Sequence, residues 1–416
     1  MNLIIKSATI IDSTSEFHRS TKDILIENGI ITKIATSVEN PKNYDIISLE
    51  NLHISQGWFD SSVSLGEPGF EERETIENGL KTAAKSGFTA IAVNPNANPI
   101  ADSKADISFL KSKAHGNAVD LYPIGALTTK SESVDLAELF DMKSAGAIAF
   151  GDYQKAVGNP NLLKIALLYA SNFDGLVLSF PKEDKIAGKG MVNEGPNSTR
   201  LGLKGIPALA EELQVARDLF LLAYTKGKLH IPTISTATSI QLIREAKQKG
   251  LNVSCSVAIH NLILSDDELE GFDSNYKVVP PLRTHNDCEA LLKGLHDGTI
   301  DMVTTDHNPI DIEHKKMEFD NAMYGTIGLE SAFGALQTIF DTEKTIELLT
   351  SGKERFGITT SHIAEGQLAN LTLFNPDGNY TFTTEHIHSS SKNSAFLGKE
   401  LKGTVYGIIH KHQKIA

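Results

Sequence analysis

Cysteine is nearly absent from this chain. Only Cys255 and Cys288 occur in 416 residues, and neither sits in a pairing motif. That excludes a disulfide framework and a zinc site built from thiolates, and it suits a reducing cytosol. Long hydrophobic runs are missing as well. No stretch approaches the roughly 20 apolar residues that span a bilayer. The opening MNLIIKSATIID alternates where a signal peptide would carry an apolar core. Positive charge is outnumbered: 39 Lys and Arg face 52 Asp and Glu, a formal net charge of -13. That balance argues against a polyanion such as nucleic acid as partner and serves solubility first. The expectation is a cytoplasmic protein without a membrane or nucleic-acid partner.

What is present describes a globular chain, 40% hydrophobic and 22% charged. Both ends read as strands. NLIIKSATIID and DILIENGIITKIA alternate apolar and polar residues, with Asn28-Gly29 as a turn. Near the other end, Asp377-Gly378 predicts a hairpin turn within NLTLFNPDGNYTFT, and LKGTVYGIIHKHQKIA predicts a further strand pair. Neither end alone has enough strands for a core, so residues 1–50 and 367–416 are expected to form one small β-sandwich domain.

Residues 51–366 alternate buried-strand runs with helical patterns. The runs are LHISQGWFD, FTAIAVNPN, VDLYPIGAL, AGAIAFGD, DGLVLSFP, KLHIPTIST, NVSCSVAIH and IDMVTTDHNP. Their near-continuous apolar character suits strands buried on both faces. Helical segments such as TATSIQLIREAKQKG lie between them, with Ile240 and Ile243 on one face and Gly250 at the end. Eight such units predict an α/β fold of the (β/α)8 TIM-barrel type. The rival, a doubly wound open sheet, lacks a Gly-rich phosphate loop after the first run.

In a barrel the chemistry sits where strands end. The ends offer Asp60, Ser62 and Ser64, then Asn94, Asn96 and Asn98, then Asp152, Ser179, Thr233, His260 and Asp306-His307. The stretches around them resemble the dihydroorotases of the amidohydrolase superfamily, of the longer type with a β domain from both termini. FDSSVSLGEPG resembles that family's Asp-x-His-x-His-Leu-Arg-Glu-Pro-Gly motif, and NPNANP its Met-Pro-Asn-Thr-x-Pro loop. MVNEGPNSTRLGLKGIPALAEE, YKVVPPLR, TTDHNP and YGTIGLE resemble further stretches in the same order. The resemblance covers nearly the whole chain.

That resemblance implies a hydrolase of a cyclic amide using two divalent metals, usually zinc, held by imidazoles and carboxylates. It places the two first-strand histidines at Ser62 and Ser64 and the bridging carboxylate at Asp152. The fifth-strand histidine falls within one residue of Ser179 and the sixth-strand histidine at Thr233. The eighth-strand aspartate is Asp306. The four imidazoles are thus replaced by hydroxyl-bearing positions, and two carboxylates remain. The arginine for the substrate carboxylate falls at Gly66, the loop asparagine at Asn96, a second asparagine at Val279 and a histidine at Ile310. The expectation is a protein without bound zinc or hydrolase activity. The resemblance further implies partnership with aspartate transcarbamoylase, and a homo-oligomer is a second expected assembly. An active hydrolase with an unusual site and a small-ligand binding module are the alternatives.

Other residues have plainer readings. Asp306-His307 could transfer protons or belong to the scaffold. His260 with Asp152 and Asp306 is a candidate mononuclear site. His230 and Cys255 read as core residues, and the His-x-His stretches near the C-terminus as solvated strand faces. Tyr153 and Gln154 are candidates to plug the vacated metal cavity.

Overall fold

The computed structural model describes residues 1–415. One of its two eight-stranded sheets contains the eight predicted runs in sequence order, all parallel: β6 (Trp58–Val63), β7 (Phe88–Val93), β8 (Asp120–Gly125), β9 (Ala149–Phe150), β10 (Val177–Leu178), β13 (Leu229–Ile231), β14 (Val253–Ala258) and β15 (Met302–Thr304). A short pair, β11 (Val192–Asn193) and β12 (Gly205–Ile206), lies outside the barrel in the connection after β10. Strand residues such as Ile91, Phe150, Val177, Leu229 and Val257 are fully buried, and helices cover them from outside.

The sheet closes because β6 meets the end of β15. Val63 bridges His307 in parallel, and the Ser64 amide donates to the His307 carbonyl at 2.7 Å. The Asp60 carboxylate reinforces this seam. It accepts from the Ser62 amide (3.1 Å), the Thr305 amide (3.1 Å) and the hydroxyls of Thr304 and Thr305. Burial raises its pKa, and these hydrogen bonds pull it back down.

The second sheet joins the two ends of the chain. Its path runs β18 (Gln413–Ile415), β17 (Glu400–His410), β16 (Leu371–Thr381), β5 (His53–Gln56), β1 (Leu3–Ile10), β2 (Thr21–Glu27) and β3 (Ile30–Ala35), with β4 (Asp45–Ile47) on β1. Ile5, Ile10, Ile24, Ile54, Leu371 and Ile409 share one core, so the sheet curls over its own side chains. Asn28-Gly29 forms the expected β2–β3 turn, both residues at positive φ. Asp377-Gly378 does not form the expected hairpin. β16 runs straight through it, and the ladder steps from Asn375–Thr404 to Asn379–Lys402 across a bulge. The chain cannot reverse there because β17 continues alongside. Within run one, LHISQGWFD, β5 pairs with β1 and β16 in the terminal sheet, and the barrel begins two residues later at Trp58.

Trp58 ties the two units together. It is fully buried, stacks on Phe333 at 5.2 Å between centroids and lies 6.0 Å from Phe374 of β16. Its indole N–H donates to the Ser55 hydroxyl. The segment between β16 and β17 also returns to the barrel: Asn393 bonds Ile310, Asn308 and Gly325, and Ser389 and Ser390 bond Glu330 and Glu74. No helix among the described residues is long and apolar enough to cross a membrane.

If Asp60 is the closing staple, removing its carboxylate strands several buried donors. Asp60→Ala is expected to lower the unfolding free energy by about 3 kcal/mol, and Asp60→Asn, which keeps one acceptor, by less. Urea unfolding of both variants checks this; an unchanged midpoint for Asp60→Ala would contradict the staple.

Candidate active site

The strand ends converge as the barrel predicts. Asp306 and Thr233, which follow β15 and β13, both sit in the left-handed region, at φ of 45° and 48°. Non-glycine residues held there carry backbone strain, a usual mark of a functional strand end. Between them lies a small cavity of about 30 Å³, lined by Ser62, Asn94, Tyr153, Gln154, Thr233 and Asp306 among others.

The Asp306 carboxylate organises this space. Ser62 Oγ donates to Oδ1 at 2.8 Å and Tyr153 Oη to the same oxygen at 3.1 Å. Gln154 Nε2 lies 3.4 Å from Oδ2, 2.9 Å from Tyr153 Oη and 3.3 Å from the Val279 carbonyl. Asn94 Nδ2 donates to both Ser62 and Ser64 hydroxyls at 3.1 Å. Burial pushes Asp306 up to about 6, while the Ser62 and Tyr153 donors pull it down. Burial, and next the Asp306 charge, hold the Tyr153 phenol well above its ordinary value, so it stays a neutral donor. The expected plug is therefore present, and Asn94 is a third member that the sequence reading placed only as a strand end.

Asp152 and Ser179 are engaged elsewhere. The Asp152 carboxylate accepts from the amides of Leu127 (3.0 Å) and Thr128 (3.1 Å) and from the Thr128 hydroxyl (2.5 Å). The side chain that reaches Asp306 from this strand end is the next one, Tyr153. Ser179 donates to Asp218 at 2.6 Å, on the Leu209–Thr225 helix, while its neighbours Leu178 and Phe180 line the cavity. Alternation along an extended strand puts residues 178 and 180 on one face and 179 on the other. That signal, applied to the one-residue uncertainty, would have selected the apolar pair.

The positions expected to clamp a substrate are closed. A Cβ on Gly66 would lie 1.9 Å from the Phe70 carbonyl oxygen, so the loop as folded excludes any side chain there. Val279 and Ile310 are buried. The Asn96 side-chain oxygen is buried without a protein partner.

The histidines divide as follows. His230 bonds Ser254 (2.8 Å) and Ser256 (3.2 Å) with its two ring nitrogens, a satisfied core residue beside the cavity. His307 Nδ1 faces the amides of Gly328 and Leu329, at 3.2 and 3.4 Å, which makes it scaffold. His260 is buried on the Ile259–Ile263 helix and does not line the cavity. Near the C-terminus, His386, His388 and His412 are exposed, but half-buried His410 bonds the Ala118 carbonyl. Cys255 is buried, as expected.

A pair of zinc ions does not fit these residues. Neutral hydroxyls are poor zinc donors, the Asp152 carboxylate at the cavity wall is taken up by Leu127 and Thr128, and Tyr153 is bonded to Asp306. Among the described residues no three His, Cys, Asp or Glu side chains form a metal-binding group.

The architecture has close counterparts among solved structures. The L-hydantoinase (dihydropyrimidinase) from Arthrobacter aurescens superposes with a TM-score of 0.86, at 19% identity, covering 100% of this chain and 96% of its own. A D-hydantoinase gives a TM-score of 0.82 at 20% identity, covering 100% and 95%. These define the class of fold, a TIM barrel carrying a β domain. Residues 53–239 match the family described as Dihydro-orotase-like. The chain is 39% identical to a dihydroorotase of Pelotomaculum thermopropionicum, over 98% of this chain and 97% of the relative. It is 38% identical to one of Ruminiclostridium cellulolyticum, over 97% and 96%. The chain belongs to the dihydroorotase family.

The buried histidines give this site a testable acid limit. Burial lowers the His230 pKa to about 3, so the folded state refuses a proton that the unfolded chain takes up below its ordinary value of 6.5. Stability is therefore full above pH 6.5 and falls as the pH drops toward 3. Between pH 7 and pH 5 this one residue is expected to remove about 2 kcal/mol. Urea unfolding of His230→Gln should show an acid loss smaller by that amount; an identical loss in both proteins would contradict it.

Proposed function

We propose that this chain is a dihydroorotase-like protein of pyrimidine synthesis that has lost hydrolysis and acts as a non-catalytic partner of aspartate transcarbamoylase. The observation that carries the loss is the filled site: Tyr153, Gln154 and Asn94 bond Asp306, Ser62 and Ser64 where metal ligands and an attacking water would have to be. Without a metal, water keeps its bulk pKa of about 15.7, and hydroxide is scarce at neutral pH. Without a cation at Gly66, a substrate carboxylate lacks a charge-assisted partner. The remaining cavity, about 30 Å³, has room for roughly one water and not for a substrate-sized ligand. The same point weighs against a small-molecule binding module. The partnership rests on the family resemblance.

An active hydrolase with an unconventional site is the second reading. Its support is the identity of 38 to 39% to relatives named dihydroorotase and an inward carboxylate with a pKa of about 6.

The deciding measurement is dihydroorotate turnover by the purified chain with zinc supplied. The expected result is no rate above background. Ser62→His combined with Ser64→His should not rescue it, because Tyr153 still fills the site and Gly66 cannot carry a clamp. Hydrolysis that survives removal of contaminants and disappears in Asp306→Ala would establish the second reading. Co-sedimentation with aspartate transcarbamoylase from the same organism tests the partner, and separate migration of the two proteins would remove it.

A further inference from the structure

We propose that the loops over the closed barrel mouth form the docking surface for a protein partner, one that presents a cationic face carrying apolar side chains. The proposal rests on the reading of this chain as a non-catalytic partner and gives that role a place on the molecule.

The connections after β14 and β15 lie on the mouth side of the barrel. Two buried lysines fasten them together. The Lys277 ammonium donates to the carbonyls of Phe319 (2.7 Å) and Asp320 (2.9 Å). The Lys315 ammonium donates to those of Gly325 (2.7 Å), Met323 (3.0 Å) and Lys277 (3.2 Å). The Ser274 hydroxyl donates to the Lys315 carbonyl at 2.6 Å. Arg73, from the loop after β6, bonds Asp311 at 3.2 Å and faces the Met323 sulfur at 3.5 Å. A backbone fixed in this way leaves its side chains little choice of direction. Phe319 turns inward, but Phe272, Ile312, Met317 and Met323 reach solvent, with Ile312 70% exposed. Phe272 is also held at a φ of 51°, a strained position for a bulky residue. Apolar side chains grouped on a rigid rim mark an interaction site. Methionine suits one, because its flexible, polarisable side chain adapts to what it meets.

Charge selects the occupant. Among these apolar side chains Asp273, Glu313, Glu318 and Asp320 are exposed, against Lys316. His314 and Arg73 are already paired with Asp311. Two copies of such a face repel each other, and so does a nucleic acid or an anionic lipid surface. A cationic protein face meets it with opposite charge around an apolar centre, the ordinary anatomy of a protein interface. The plug removes a competing demand. A mouth that admits substrate must keep its rim clear. Here Tyr153 and Gln154 fill the space beneath and leave a cavity of about 30 Å³, so a partner can lie across the opening.

Binding kinetics between the full chain and the aspartate transcarbamoylase of the same organism, at low and high salt, test this. The expected complex weakens at least ~10-fold on raising salt, because opposite charges steer it together. Glu313→Lys with Glu318→Lys should slow association about 10-fold. Ile312→Ser with Met317→Ser should weaken binding ~10–100-fold, chiefly through faster dissociation. All four residues are exposed, so the urea midpoint should stay unchanged in both variants. Should either fail to fold, hydroxyl-radical footprinting of Met317 and Met323 in the native chain decides: both are expected to be protected when the transcarbamoylase is added. A complex that ignores salt, that binds both variants as it binds the native chain, or that leaves the two methionines as reactive as before overturns this surface while the partner reading stands. Absence of any complex overturns both. Protection of the methionines on concentrating the chain alone would assign the face to a second copy and overturn the proposal.

Discussion

The Asp60 carboxylate is the constraint on which the rest of the barrel depends. It lies in the first strand and accepts hydrogen bonds from residues at the end of the eighth. A parallel sheet of eight strands has two edges until those strands are locked in register. Once Thr304 and Thr305 are fixed to Asp60, the period of two along β6 aims Ser62 and Ser64 toward the same space that Asp306 enters. Closure and site geometry are therefore one arrangement. The staple's donors are backbone amides and threonine hydroxyls, so hydrogen bonds join the first and last strands.

The filled site follows from packing. Protein interiors do not tolerate voids, and the small hydroxyl side chains of Ser62, Ser64 and Thr233 would leave one if nothing larger stood beside them. The neighbouring side chains fit around them instead. Serines at 62 and 64 leave room for Tyr153, whose phenol then meets Asp306. Asn94 spans the two serine hydroxyls and uses the acceptors they offer. Gln154 joins Tyr153 to the Val279 carbonyl across the opening. A buried carboxylate without a cation needs several donors, and Ser62, Tyr153 and Gln154 supply them.

Much of the fold was legible because it is written in repetition. Eight apolar runs separated by amphipathic segments admit few architectures, and each run became a barrel strand. The terminal strands were legible for the same reason, down to the Asn28-Gly29 turn. Asp377-Gly378 misled because a turn dipeptide states a local preference, whereas the continuing partner strand β17 decides whether the chain reverses. At the site, the motif register identified Ser62, Asp152, Thr233 and Asp306, all of which line the cavity, and Ser64, whose hydroxyl accepts from the lining residue Asn94. It could not show direction. Asp152 borders the cavity but gives its carboxylate to Thr128, and Ser179, next to two lining residues, turns to Asp218. Such partners are 24 and 39 residues distant and leave no mark in the local pattern.

The left-handed backbone at Thr233 and Asp306 bears on how this arrangement persists. Each such residue costs on the order of 1–3 kcal/mol, and surrounding structure must enforce it. At Asp306 the enforcement is visible. Its amide faces the Thr304 hydroxyl, Thr304 is bound to Asp60, and the next carbonyl, of His307, accepts from Ser64. The strained φ thus follows from the strand seam on either side of it. Thr233 is held similarly, with its amide on Ser256 of the adjacent strand. Neither residue could relax without opening the ladder around it, which would cost more than the strain. The geometry of the strand ends is therefore locked by barrel closure whichever side chains stand there, and this is why a mouth furnished with serines keeps the strained strand ends of a barrel pocket.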